Sequence, residues 1–292
     1  MTPTMLASTG PLFARPLDWA MGVILEAGYD GVELMVTQDP ATQEPDRVLE
    51  VAAREGARVP VVHGPFLLLT RRVFGVDPTE KARRSLELAA EIDADLMIVH
   101  PPLRWQTAFH DWLVEEADDE AAELGTGVGV ENLYPVPLLG RPVRFHRYTK
   151  PEHLEEFRHL VLDTSHFGVT GIDLERAWEH LGHAAAHLHV SDNRGQGRDS
   201  HAPLGHGVLP IASFLTAARR SGYSGPITLE LDCRRYLDDR AALVGYLQQE
   251  RQKCLALLDG EPPEEVLGRP DRPPQPEHEE GEPPTVAVVP RD

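Results

Sequence analysis

The 292-residue chain has only two cysteines, no apolar run approaching the length of a membrane span, and no glycine-rich phosphate loop after its first strand-like segment. Each shortage excludes something. Cys233 and Cys254 stand outside any metal-binding spacing and read as reduced, structural thiols. The missing apolar run excludes a membrane-spanning helix. The start "MTPTMLASTG" lacks the charged beginning and apolar centre of a signal peptide, so the expectation is a cytoplasmic protein. Basic residues are scarce too: 28 Lys and Arg against 47 Asp and Glu leave a net charge of -19, which sets the molecule as a whole against nucleic acid and anionic membrane.

What is present is a long alternation. The short apolar runs "TMLAS", "GVEL", "VPVVH", "DLMIVH", "GVGVE", "LVLD", "AHLHVS" and "PITLELD" read as strands. Stretches of helical character follow them around residues 17–27, 46–56, 78–92, 106–124, 151–157, 173–181, 210–221 and 238–258. Eight such repeats are the pattern of an α/β protein with a parallel (β/α)8 TIM barrel over residues 1–259. A doubly wound open sheet fits less well, because the phosphate loop is missing. From residue 260 to 292 the chain is rich in proline and glutamate without periodicity, and is expected to form a disordered tail.

The chemistry concentrates where these strands end. His63 closes "VPVVH", His100 closes "DLMIVH", Glu131 closes "GVGVE", Asp163 closes "LVLD", His189 lies late in "AHLHV" and Glu230 late in "PITLELD", with Glu33 placed similarly in "GVEL". In a barrel those ends surround one mouth. A polar residue where a buried strand meets solvent explains one or two of them, whereas six consecutive strands ending only in His, Glu or Asp point to shared metal ligation. The segment "HLHVSDNRGQGRDSHAPLGHG" adds to this: His187 and His189 share one face of a strand, and Asp199 and His201 can point to one place in an extended loop. Imidazole with carboxylate suits zinc, manganese or iron. In the loops leaving the mouth, Lys and Arg outnumber Asp and Glu, with Arg71, Arg72, Arg141, Arg144, Arg147, Lys150, Arg194 and Arg198 the contributors. The excess is either ordinary loop composition or the mark of a small anionic substrate, most simply a phosphate ester.

From about Thr4 to Leu258 these residues resemble the xylose isomerase-like TIM barrel superfamily, which includes sugar isomerases and epimerases and also endonuclease IV. The resemblance to the first branch implies one divalent metal held by Glu131, Asp163, His189 and Glu230, with Glu131 and Glu230 catalytic; Glu33 in its strand and Arg194 and Arg198 of the basic loops are expected to face substrate. The resemblance to endonuclease IV implies up to three zinc ions held by His63 in "HGPF", His100 in "VHPP", Glu131 in "VEN", Asp163 and His166 in "LDTSH", His189 in "HVSD", Asp199 and His201 in "DSH" and Glu230 in "LEL". His206 departs from the related "LGEG" motif, and His187 falls one layer deeper as a core or supporting residue. The wording "HVSDN", "DSHAPLGHG" and "HGPF" sides with a sugar or sugar-phosphate isomerase or epimerase, using zinc or manganese and one to three ions. The alternatives are an endonuclease IV-like phosphodiesterase, against which the acidic body stands, and a non-catalytic metal-binding barrel.

Overall fold

The computed structural model describes residues 3–66, 73–138, 141–143 and 145–268. Eight parallel strands close into a barrel: β1 (Met5–Ser8), β2 (Gly31–Met35), β3 (Val61–His63), β4 (Leu96–Val99), β5 (Val128–Glu131), β8 (Leu160–Asp163), β9 (Ala185–Val190) and β10 (Ile227–Leu229). A short hairpin, β6 (Val136–Leu138) and β7 (Arg141–Val143), interrupts the alternation between β5 and β8. Around the barrel lie α1 (Leu17–Glu26), α2 (Pro45–Glu55), α3 (Pro78–Glu91), α4 (Thr107–Glu115), α5 (Ala117–Leu124), α6 (Thr164–Thr170), α7 (Leu174–Leu181), α8 (Ile211–Arg220), α9 (Arg240–Asp259) and α10 (Pro263–Val266). Among the described residues no helix is long and apolar enough to cross a membrane.

Alternation along each strand builds two environments. Outward residues such as Met5, Val32, Leu34, Val62, Met97, Val99, Leu162, Leu188 and Leu229 join the core beneath the helices. Inward residues begin with an apolar plug of Leu6, Val61, Leu96, Ile98 and Val161. Gly129 faces this plug, and a Cβ there would stand 2.9 Å from Val161 Cγ2. Two residues beyond the plug on their strands come His63 and Asp163, and around them Glu33, Glu131, His187, His189 and Thr228 make the interior polar, all of them buried.

Three elements differ from the periodicity. The helix expected over 151–157 is only a single 3-10 turn, Pro151–His153, after which Leu154 and Phe157 fill the helix's place in the core. The stretch 106–124 divides at Glu116 into α4 and α5. Immediately after β8 the unforeseen α6 begins, with Asp163 as its N-cap, its carboxylate accepting from His166 N at 2.7 Å, and with Gly171 at φ 70° closing it. Of the expected tail, Pro263–Val266 is helical, and Val266 and Leu267 pack on the core. Residues 269–292 lie outside the described residues.

Candidate metal centre

Strand ends and the segments that follow them bring the nine expected ligands together in three groups, two of which share Glu131, and Glu33 forms a further group with His63 and His189. Donor atoms of Glu131, Asp163, His189 and Glu230 all lie within 4.8 Å of one another, as do those of His63, His100 and Glu131, and those of His166, Asp199 and His201. Glu131 belongs to two groups: His63 Nε2 is 3.2 Å and His100 Nε2 3.0 Å from its Oε2, while His189 Nδ1 is 2.9 Å from its Oε1. His201 Nε2 lies 2.6 Å and His166 Nε2 3.3 Å from Asp199 Oδ2.

Four of the five imidazoles, all but His100, are held from behind by their other nitrogen. His63 Nδ1 donates to the Gly64 carbonyl at 2.8 Å, His166 Nδ1 to the Asn132 carbonyl at 2.8 Å, and His201 Nδ1 meets Ser191 Oγ at 3.2 Å. His189 uses Nε2, which donates to Glu33 Oε2 at 3.0 Å, so Nδ1 is turned toward Glu131, Asp163 and Glu230. Glu33 also accepts from Thr228 Oγ1 at 2.8 Å and from His187 Nε2 at 3.1 Å. Glu33, expected to face substrate, has a fully buried carboxylate that lies behind His189 and is hydrogen-bonded to that ring.

The loop carrying Asp199 and His201 is built tightly. Asp192 accepts from Asn193 N, Gly207 N and Leu209 N, and pairs with Ala202 through two backbone bonds. A Cβ on Gly207 would collide with the Asp192 carboxylate. His201 itself adopts φ 37°, a left-handed conformation uncommon for histidine and held here by its neighbours. From α9, the buried Glu250 accepts from Leu204 N at 2.7 Å, and Lys253 bridges Glu250 and the Leu204 carbonyl. His206 is exposed at the rim, so it takes no part in the donor groups. Arg194 is half-buried in this loop, and Arg198 is exposed and donates to Gln196.

Burial and charge compete throughout the centre. Burial pushes the Glu131 carboxyl up, yet His189 and His166 together with hydrogen bonds from His100 and His189 hold it well below the usual range. In Asp163 burial prevails and the pKa rises to about 6. Burial disfavours charge on His189 and His166, but the surrounding carboxylates, Glu33 first for His189 and Asp163 first for His166, raise both well above the ordinary histidine value. His201 is likewise raised against burial by Asp199, to about 9. Protonated imidazoles thus offset several buried carboxylates, a task a divalent cation performs with the same ligands deprotonated. The donors fit one: a mixed imidazole and carboxylate set, a fixed His189 tautomer, and a buried Asp163 Oδ2 that has no hydrogen-bond partner among the described residues.

Beside the centre opens a cavity of about 680 Å³. Phe13, Met35 and Phe66 form its apolar side, while His201, Glu230 and Asp232 supply the polar one. Arg234 also lines it, but is bonded to Asp232 through two nitrogens at 2.8 and 2.7 Å. Of the basic residues expected at the mouth, Arg71, Arg72 and Arg144, and the side chain of Arg141, lie outside the described residues. Sequence reading missed Tyr134, whose ring packs on His166 with centroids 4.9 Å apart; its position three residues after Glu131 on the same loop was the available signal.

A profile described as xylose isomerase-like TIM barrel matches residues 22–252. An uncharacterised protein of Mycobacterium tuberculosis is 31% identical over 249 residues, covering 77% of this chain and 87% of its own length. One from Methanocaldococcus jannaschii is 26% identical, covering 66% of this chain and 71% of its own length. Among solved structures, a D-tagatose 3-epimerase-like protein superposes with a TM-score of 0.63 at 23% identity, covering 87% of this chain and 99% of that one. An L-ribulose 3-epimerase superposes at 0.64 and 16% identity, covering 88% and 95%. A D-allulose 3-epimerase from Methylomonas sp. in complex with D-allulose gives 0.62 at 16% identity, covering 86% and 97%. At these identities the likeness is one of fold.

Proposed function

We propose, from the premise that this chain belongs to the xylose isomerase-like TIM barrel family, that it is a divalent-metal-dependent sugar or sugar-phosphate isomerase or epimerase. The observation that carries the reading is the set Glu131, Asp163, His189 and Glu230 next to the cavity, with Glu230 in both. Epimerase-type structural neighbours support the same class.

A zinc or manganese ion held by these four residues would polarise the carbonyl and adjacent hydroxyl of a ketose and so acidify the hydrogen on the carbon between them. The protein's own part is proton handling and exclusion of water. Glu230, in the cavity wall, is placed to take that proton, and Glu131 to hold or return one from deeper in the barrel. Glu33 and His187 keep His189 oriented. Met35 and Phe66 give the reacting carbon an apolar wall, with the exposed Phe13 at its open edge. Arg194 is the nearer candidate for a substrate-facing cation on its loop, since Arg198 is exposed and turned to Gln196.

A second reading, a zinc-dependent phosphodiesterase with three ions, is favoured by one observation: the groups His63, His100, Glu131 and His166, His201, Asp199 stand complete beside the first. A single assay series separates the two. Metal-loaded protein is incubated in deuterated water with a panel of ketoses and ketose phosphates, and separately with an abasic-site duplex. Deuterium entering the carbon beside the carbonyl, with a new epimer or aldose, is the outcome expected. Duplex cleavage without exchange in any sugar would replace the first reading with the second.

A further inference from the structure

A second concavity, of about 660 Å³, lies on the rim between the loops that leave β4 and β5. It is lined by Arg104, Arg147, Thr149, Lys150 and His153, and no carboxylate is among them. Many other arginines in this acidic chain are paired: Arg47 with Glu50, Arg54 with Asp18, Arg83 with Glu116 and Glu120, Arg158 with Asp118, Arg240 with Glu26. Among the described residues Arg104, Arg147 and Lys150 form no ion pair. Of the acids that follow in the chain, Glu155 is engaged by His180 and Glu156 by Tyr148 and His110, while Glu152 is exposed and does not line the groove.

The cations sit on a constrained frame. Arg104 N donates to the Phe145 carbonyl at 2.8 Å, and Leu103 bridges His146, so the two loops are tied together at the residues that carry the charge. Tight turns follow, with Thr149 N bonded to the Arg147 carbonyl at 2.9 Å and His153 N to that of Lys150 at 3.1 Å. Beneath them His146 is fully buried, with Nε2 on the Tyr134 carbonyl at 3.1 Å and no partner for Nδ1 among the described residues. Burial lowers its pKa, and it also feels Arg104 of the groove and His100 and His166 of the donor centre. The Tyr134 ring in turn packs on His166 with centroids 4.9 Å apart, so His146 and Tyr134 link the frame of the groove to the centre.

Three like charges brought together without a counterion repel one another, and two guanidiniums with an ammonium match the oxygens of a phosphoryl group. We propose that the groove of Arg104, Arg147, Lys150 and His153 is a subsite for a phosphoryl group. This deepens the function proposed above, for it makes the substrate a phosphorylated sugar whose anionic end rests at the rim. It also moves the anion site away from the cavity, where Arg234, the one arginine that lines it among the described residues, is already paired with Asp232.

The test is calorimetric titration of inorganic phosphate into the metal-loaded full chain and into the triple variant Arg104→Gln, Arg147→Gln, Lys150→Gln. Melting temperature and metal content are measured on both to establish that the variant is folded and loaded. The result expected is saturable binding in the first and at least about tenfold weaker binding in the second. In a competition arm, a ketose phosphate should displace phosphate from the wild-type chain while the unphosphorylated ketose does not. Absence of saturable binding, or equal affinity in the two proteins, overturns the proposal, the latter because phosphate would then be sitting on the metal centre. Displacement by neither sugar overturns the assignment to substrate. The titration reads affinity and not turnover, so a failure of the epimerase reading leaves its outcome unchanged.

Discussion

His189 Nε2 donates to Glu33 Oε2 at 3.0 Å across the barrel interior, and this hydrogen bond turns His189 Nδ1 to Glu131 Oε1 at 2.9 Å. A carboxylate behind a ligating imidazole fixes the ring's tautomer and raises its basicity. Glu33→Gln should therefore weaken divalent metal binding about 10–100-fold with the donor set itself intact. Competition against a chromophoric chelator measures this. Unchanged affinity would show that His189 needs no support from Glu33.

On the far side of the mouth, Glu250 ties α9 to the loop after His201 through Leu204 N and Lys253. Glu250→Ala leaves a buried backbone donor and a largely buried ammonium without their partner. The cost should be about 3–5 kcal/mol in chemical denaturation, the range for a broken buried ion pair. A loss under about 1 kcal/mol would place Glu250 among surface pairs of little consequence.

Both thiols are pushed up to about 12, Cys233 by burial with Asp232 adding to it, Cys254 by burial with Glu250 adding to it. The thiolate is the reactive form, and it appears only as pH rises through the pKa. At pH 8 the native protein should leave Ellman's reagent almost unreacted for an hour, and two thiols per chain should react after unfolding in guanidinium. Rapid reaction of the folded chain would contradict the burial of both residues.

His100 belongs to a donor group apart from the first four residues. His100→Ala should retain about one tightly bound metal per chain and part of the turnover if the reaction needs only Glu131, Asp163, His189 and Glu230. Loss of all activity together with a second ion would favour the hydrolytic reading.

Much of the centre was legible because strand alternation and a closed barrel convert sequence position into geometry. His63, Glu131 and Asp163 end their strands, and parallel closure leaves them nowhere to go but one mouth. The role of Glu33 was not legible. Its place in "GVEL" matches that of a ligand, and only the depth at which β2 meets β3 shows that it lies behind His189. The groove was hidden for a related reason: Arg104 and Arg147 are brought together by the bridge between Leu103 and His146, which periodicity does not reveal. The 3-10 turn at Pro151–His153 replaced an expected helix because a hairpin and two apolar anchors, Leu154 and Phe157, already close that segment.

The proposed chemistry depends on a catalytic divalent metal held by Glu131, Asp163, His189 and Glu230. Elemental analysis of metal per chain after exhaustive dialysis, on the wild-type protein and on Asp163→Asn, tests it most directly, with circular dichroism confirming that both are folded. The account predicts at least one zinc or manganese per wild-type chain, and one fewer in the variant, with epimerisation gone. A folded Asp163→Asn protein that keeps its full metal complement, or a wild-type chain that retains none, would contradict it.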